Sequence, residues 1–157
     1  MTREWLYLVL IIPAVMLACD DFRFRRVHIL WLIVLGALSV LTEGCFISWH
    51  LTVMQILFNS ISIGLLLGGV TLWIWIRHRQ SPRNLFSQWL GAGDFFMMLT
   101  TTPLFTQKAY VYYLLVSCGS SLVWWSCRKN KHVKTIPLAG FMALILIIYS
   151  IGKFIFL

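Results

Sequence analysis

Acidic side chains are scarce in this chain. Of 157 residues only five are acidic, against thirteen Lys and Arg, and all charged residues together make up 11%. The acidic residues are Glu4, Asp20, Asp21, Glu43 and Asp94. A water-soluble domain needs a larger charged surface than this. With 60% hydrophobic residues and a mean hydropathy of +0.84, the chain is predicted to be a polytopic membrane protein.

Metal-binding motifs are absent too. The four cysteines form no C-x-x-C pair and the histidines lie in separate segments, so neither a metal nor another cofactor is expected. The net charge of +8 would suit a nucleic-acid partner in a soluble protein. In a membrane protein, Lys and Arg accumulate in cytoplasmic loops and make the chain basic by themselves. The lipid bilayer is therefore the expected partner, and nucleic acid is not.

Hydrophobic runs divide the chain into six segments. They predict an all-α fold of about six transmembrane helices in a single domain over residues 1–157. The fourth segment is shorter than the roughly 20 residues that a span requires, and Pro103 interrupts it. The segments are Trp5–Cys19, His28–Leu41, Leu51–Ile76, Phe95–Phe105, Ala109–Trp125 and Val133–Leu157.

Basic residues alternate between the loops. Ten of the thirteen lie after the first, third and fifth segments, and the opposite side keeps only Arg3, Lys108 and Lys153. The positive-inside rule places the three basic loops in the cytoplasm and both termini outside.

This topology brings two acidic sites to the same face of the membrane. Asp20-Asp21 closes the first segment, and Gly91-Ala92-Gly93-Asp94 opens the fourth. An aspartate entering a membrane helix is costly to bury and is a functional candidate. Two nearby carboxylates share a proton, so one can take a proton from water while the other donates to a peptide carbonyl. The sequence therefore contains the parts of a two-carboxylate hydrolase.

The glycines beside Asp94 allow two interpretations. Without β-carbons, Gly91 and Gly93 permit tight turns and the close approach of a substrate backbone. In a purely structural interpretation, Asp94 caps a helix and the glycines serve helix packing.

Three stretches resemble the type IV prepilin peptidases, aspartyl proteases of the bacterial inner membrane. Asp21 to Val27 is similar to the family's first motif, and Gly91 to Asp94 is similar to its Gly-x-Gly-Asp motif. Ile136-Pro137, after a basic loop, resembles the start of its Ile-Pro-Phe-Gly-Pro stretch. The order of these stretches and the six-segment plan also agree with the family.

The resemblance implies that the chain cleaves the leader peptide of prepilin-like proteins, which carry a transmembrane N-terminal helix, at the cytoplasmic membrane face. Asp21 and Asp94 would be the catalytic pair, and Gly91, Gly93 and Asp20 would support the site. Asp21 is preferred to Asp20 because it has the family's spacing to Arg23 and Val27. The oligomeric state stays open.

Two positions depart from the family's pattern. His28-Ile29 replaces Pro-Asn in the first motif, and Phe96 stands where a Lys usually follows the second aspartate. The family's zinc-binding C-x-x-C pairs, which accompany N-methylation, are also missing. The resemblance thus implies a peptidase that does not methylate.

Other functions stay open. Phe96 and His28 favour a relative that keeps the fold without turnover, as an assembly subunit. Asp94 in a broken helix would also suit a small proton- or cation-coupled transporter. An intramembrane protease of the presenilin type is disfavoured, because the chain has no Tyr-Asp pair and has Pro137-Leu138-Ala139 in place of Pro-Ala-Leu.

Overall fold

A computed structural model describes residues 3–46, 48–78, 91–127 and 137–156 of the chain. These residues form six α-helices and no strand, which confirms the all-α prediction. The helices are α1 (Arg3–Phe24), α2 (Ile29–Phe46), α3 (Trp49–His78), α4 (Ala92–Thr101), α5 (Gln107–Cys127) and α6 (Leu138–Phe156).

Each helix coincides with one predicted segment, although some ends differ. Helix α1 continues to Phe24, past the predicted end at Cys19, so Asp20 and Asp21 lie inside its last turns. Helix α4 ends at Thr101, and a short 3₁₀ helix, Thr102–Leu104, follows it. Pro103 lies in that 3₁₀ helix, where it has no N–H for a continuing α-helix. The predicted interruption of the fourth segment is therefore present.

Among the described residues, three helices are long and apolar enough to cross a membrane: Trp5–Phe24, Trp49–Arg77 and Leu138–Ile155. A shorter apolar helix covers Ile29–Cys45. Large apolar side chains also cover the outside of the described helices, as at Leu65 (73% exposed) and Ile148 (69% exposed). Such an exterior suits lipid rather than water. The count of six spans stays a prediction.

The helices pack around α1 and α6, which lie side by side along most of their length. Small buried residues line both helices, namely Ala14 and Ala18 on α1 and Ala139 and Ala143 on α6. Small side chains allow helix backbones to approach closely, and this is how helices associate in lipid. Helix α2 packs against α1 and α4, so α4 is held between α2 and α6.

Side-chain hydrogen bonds fix the short helix α4 at its broken end. Asn59 of α3 is fully buried, and its Nδ2 donates to the carbonyls of Thr102 and Phe105, both at 2.8 Å. The Tyr110 hydroxyl of α5 donates to the Met98 carbonyl at 2.8 Å. Carbonyls at a helix end have no partner within the helix, and in lipid no water replaces one. Neighbouring helices supply these partners.

The residues that determine the predicted topology are only partly described. The second and third basic loops, over residues 79–83 and 128–134, lie outside the described residues, as does Ile136 of the third motif. The placement of the basic loops in the cytoplasm stays a prediction.

Candidate active site

The two predicted aspartates meet at the first turn of α6. Asp21 lies near the end of α1, and Asp94 lies in the first turn of α4. Each carboxylate accepts a hydrogen bond from a backbone N–H of α6, and the two N–H groups belong to the adjacent residues Ala139 and Gly140. These hydrogen bonds bring Asp21 and Asp94, which are far apart in the chain, to the same turn of α6.

Asp21 is buried, with 6% of its surface exposed. Its Oδ2 accepts the Gly140 N–H at 2.6 Å. A buried carboxylate needs partners, because removing it from water is costly otherwise. The N–H of Gly140 is one such partner.

Asp94 is held from two sides. Its Oδ1 accepts the Ala139 N–H at 2.8 Å, and its carboxylate also accepts the N–H of Gly91. Gly91 is the N-cap of α4 and Asp94 is the third residue of that helix. A third-position acid that reaches back to the N-cap N–H forms half of a capping box. The structural interpretation of Asp94 as a helix-start residue is therefore present together with its contact to α6.

The start of α6 favours negative charge at this point. The first N–H groups of a helix have no partner within the helix, and the helix dipole adds partial positive charge there. Pro137 directly precedes the helix and accepts the N–H of Phe141. A helix start of this kind binds anionic groups. Here it gathers two carboxylates from two other helices.

The surroundings change the acidity of Asp94, which precedes the fourth apolar segment. The pKa of Asp94 is raised to about 6, mainly by burial, and the charge of the nearby Asp21 acts in the same direction. The N–H groups of Ala139 and Gly91 act in the opposite direction and lower this pKa. Burial has the largest influence on this carboxyl, so it holds a proton closer to neutral pH than an ordinary aspartate.

Glycines allow the close approach of these segments. A β-carbon on Gly93 would lie 2.7 Å from Val27 Cγ2, so the first motif packs directly on the second. A β-carbon on Gly140 would lie 3.0 Å from Asp21 Oδ2 and equally close to the Phe22 ring. At Gly93 and Gly140, the glycine backbone therefore packs directly against side chains of the site.

The other predicted site residues have different surroundings. Gly91 caps α4 beside Asp94. Asp20 points to His28, with 3.8 Å between Asp20 Oδ2 and His28 Nε2, and its described contacts do not include α6. Phe96 is 50% exposed. The structure brings Asp21, Asp94, Gly91 and Gly93 together and places Asp20 at the edge of the group.

Sequence reasoning missed Ala139 and Gly140 as the hydrogen-bond donors of the site. From this part of the chain it used Ile136-Pro137 for the family resemblance and Pro137-Leu138-Ala139 to disfavour a presenilin-type protease. The signal was the proline before an apolar segment, which marks a helix start and hence a set of unpaired N–H groups. Nothing in the sequence indicated that these groups face the aspartates.

Aromatic rings flank the Asp21 side of the site. Phe22 contacts Phe141 edge to face, with 5.3 Å between ring centroids, and Trp124 contacts Phe141 with 6.0 Å between centroids. Trp124 and Phe22 also meet at 6.3 Å, so helices α1, α5 and α6 are joined here. Such edge contacts stabilise the packing beyond the apolar area that they bury.

The arrangement has the parts for general acid–base chemistry. Two carboxylates of one site, with one proton between them, combine a base and an acid. Within the described ranges, no three His, Cys, Asp or Glu side chains are grouped so as to hold a metal ion. None of the four cysteines forms a disulfide.

Comparisons of the chain with protein-family models, with curated proteins and with solved structures find no match.

Proposed function

We propose that this chain is a membrane aspartyl endopeptidase that removes the leader peptide from prepilin-like proteins. The observation that supports this most directly is the convergence of Asp21 and Asp94 on the adjacent N–H groups of Ala139 and Gly140. A helix cap needs one such carboxylate, whereas a hydrolytic pair needs two that share a proton.

The reaction would proceed through one proton held by the pair. The ionised aspartate takes a proton from a water molecule, and the water oxygen attacks the carbonyl carbon of the scissile peptide bond. The protonated aspartate donates its proton to the carbonyl oxygen. Collapse of the resulting diol breaks the C–N bond: the aspartate that took the water proton donates it to the leaving nitrogen, and the other aspartate takes a proton from a diol hydroxyl. The pair returns to its starting state without a covalent intermediate.

The substrate would be positioned by the membrane. A prepilin-like protein has an apolar N-terminal helix that can lie in the bilayer beside the enzyme, with its leader junction at the boundary where the aspartates lie. Fixing the junction relative to the catalytic groups lowers the entropic cost of the reaction. Under the proposed topology, this boundary is the cytoplasmic face of a bacterial inner membrane.

Asp20, which directly precedes Asp21, provides a matched control for a cleavage assay. We expect wild-type protein in membranes to cut a prepilin-like substrate. Asp21→Asn and Asp94→Asn should each lower the rate by about 10²-fold or more, since each removes one member of an acid–base pair. Asp20→Asn should stay near the wild-type rate, because Asp20 faces His28 rather than α6.

Other outcomes identify the other candidate functions. If wild-type protein leaves a panel of prepilin-like substrates uncut, the proposal fails and a non-catalytic relative is favoured; Phe96→Lys is then the next protein to assay. If proton or cation flux requires Asp94 and tolerates Asp21→Asn, the chain is a transporter.

A further inference from the structure

Arg25 has an unusual backbone conformation immediately after α1. Its φ is 54°. Among the residues that the structure describes, no other non-glycine residue has a positive φ. Its N–H donates to the carbonyl of Asp21 at 3.1 Å and closes the end of the helix. Glycine ordinarily occupies this left-handed position, because a β-carbon is strained there. Arg25 therefore has a backbone conformation that a non-glycine residue rarely adopts.

The Arg25 side chain turns back toward the site. Its guanidinium carbon lies 5.9 Å from the centroid of the Trp124 ring, within the range of a cation–π contact. Burial of Asp21 favours its protonated form, and the attraction of the Arg25 guanidinium opposes burial and favours the ionised carboxylate. Trp124 belongs to the aromatic group that joins α1, α5 and α6 beside Asp21, so the cation rests on a packed surface.

Neighbouring arginines do not share this placement. Arg23 and Arg26 are exposed, whereas Arg25 is half-buried. The Arg23 guanidinium lies over the exposed ring of its neighbour Phe24 at 5.2 Å. All three arginines contribute equally to the charge of the first basic loop. Topology therefore explains the cluster but not the strained turn or the position of the Arg25 side chain.

We propose that Arg25 is a positioning residue of the aspartate pair, which keeps Asp21 ionised and leaves the shared proton on Asp94. The left-handed turn and the Trp124 ring hold the guanidinium on the Asp21 side of the pair. Asp21 is then the base that activates water, and Asp94 is the acid that protonates the carbonyl oxygen. This assignment of roles rests on the proposed function, whereas the location of the proton does not depend on it.

A carboxyl-directed reagent tests the location of the proton without any substrate. Hydrophobic carbodiimides react with protonated carboxyl groups, and peptide mass spectrometry locates the modified residue. At about pH 5.5, where Asp94 with its pKa of about 6 still holds a proton, we expect modification of Asp94 in preference to Asp21 in wild-type protein. Arg25→Gly should raise the modification of Asp21 about tenfold, because the attracting charge is lost, and Arg26→Gly should not change it. Equal modification of both aspartates in wild-type protein, or no response to Arg25→Gly, would overturn the proposal.

Kinetics combined with thermal unfolding separates positioning from simple structural support. Arg25→Gly should lower kcat about tenfold with KM unchanged, while the unfolding temperature stays equal or rises because the strained turn is relieved. Arg25→Lys should recover part of kcat, and Arg26→Gly should behave as wild type. A parallel loss of kcat and of unfolding temperature in Arg25→Gly would show a structural role and contradict the proposal. Absence of cleavage by wild-type protein would refute the proposed function alone, because the modification experiment still decides where the proton lies.

Discussion

At the scale of single residues, the candidate site depends on atoms that are missing as much as on those present. Gly93 lacks the β-carbon that would meet Val27, and Gly140 lacks the one that would meet Asp21 and Phe22. These two absences allow α4 and α6 to approach the end of α1. By contrast, a β-carbon on Gly119 or Gly152 would have open space around it. The glycines of this chain are therefore not equivalent.

Gly93→Ala tests the contact between the first two motifs. The new methyl group would lie 2.7 Å from Val27 Cγ2, so α4 or the end of α1 must shift. We expect the cleavage rate to fall about tenfold or more and the unfolding temperature to decrease, since overpacking costs about 1–3 kcal/mol. Cleavage assays and thermal unfolding of the purified protein measure both effects.

The control for this substitution is Gly119→Ala, which should keep full activity and gain up to about 1 kcal/mol of helix stability. The double variant with Val27→Gly should recover part of the loss, because it removes both Val27 Cγ2, at 2.7 Å, and Val27 Cβ, at 2.8 Å, from the clash. A Gly93→Ala variant with wild-type activity would contradict the contact between the motifs.

Asp94→Asn should stabilise the protein near neutral pH. The folded protein holds the Asp94 proton up to about pH 6, whereas the unfolded chain releases it near the ordinary value of 3.8. Between these values the folded state binds more protons, so the wild-type free energy of unfolding falls as pH rises and then levels off. The asparagine keeps an acceptor for the Ala139 N–H and does not ionise.

Thermal unfolding across pH 4–8 measures this effect. Above pH 6 we expect Asp94→Asn to be more stable than wild type by roughly 1–3 kcal/mol, with a smaller difference near pH 4. Loss of stability at pH 8 would show that the ionised carboxylate holds the site together instead.

At the scale of helices, α4 is the element on which the site depends most. It has 10 residues, far fewer than a span requires, and it ends where Pro103 interrupts the α-helix. Its start is held by α6 through Ala139 and Asp94, and its end by Asn59 of α3. A helix this short is marginal alone, so its neighbours determine where Asp94 lies.

Asn59→Leu tests the support at the end of α4. The substitution keeps the branching of the side chain but removes both donors to the carbonyls of Thr102 and Phe105. Interhelical hydrogen bonds in membranes contribute modestly, so we expect a loss of about 1–3 kcal/mol for the two bonds together. Ser62→Ala on the same helix removes only a bond to the Phe58 carbonyl one turn away and should cost little. Equal stabilities of the two variants would contradict the role of Asn59.

At the scale of the whole molecule, the exterior and the length of the helices agree with a membrane environment. Helix α3 has 30 residues. At 1.5 Å per residue it extends about 45 Å, longer than the roughly 30 Å apolar layer of a bilayer. In a bilayer, a helix of this length would tilt or extend beyond the apolar layer.

Thiol labelling tests the predicted orientation. In a background with all four cysteines replaced, Ser81→Cys in the second basic loop and Gln107→Cys at the start of α5 report opposite sides. A reagent that does not cross membranes should label Gln107→Cys in intact spheroplasts, and Ser81→Cys only after lysis. The reverse pattern would place the aspartates on the outer face and contradict the proposed site of cleavage.

Much of the fold and part of the site could be predicted from the sequence. Runs of apolar residues determine the number and type of the helices, because a backbone in lipid must satisfy its own hydrogen bonds. Scarcity of acid narrows the candidates to five residues, and the resemblance to the prepilin peptidase motifs selects Asp21 and Asp94 among them. These properties are local and can be read from the residues themselves.

The tertiary structure alone decided how the parts meet. That Ala139 and Gly140 donate to the two carboxylates, that Asp20 turns to His28, and that Arg25 adopts a left-handed turn near Asp21 depend on packing between distant segments. A backbone N–H carries no sequence signature, because every residue except proline has one. The sequence therefore determined which groups need partners, and the packing of the helices determined which partners they found.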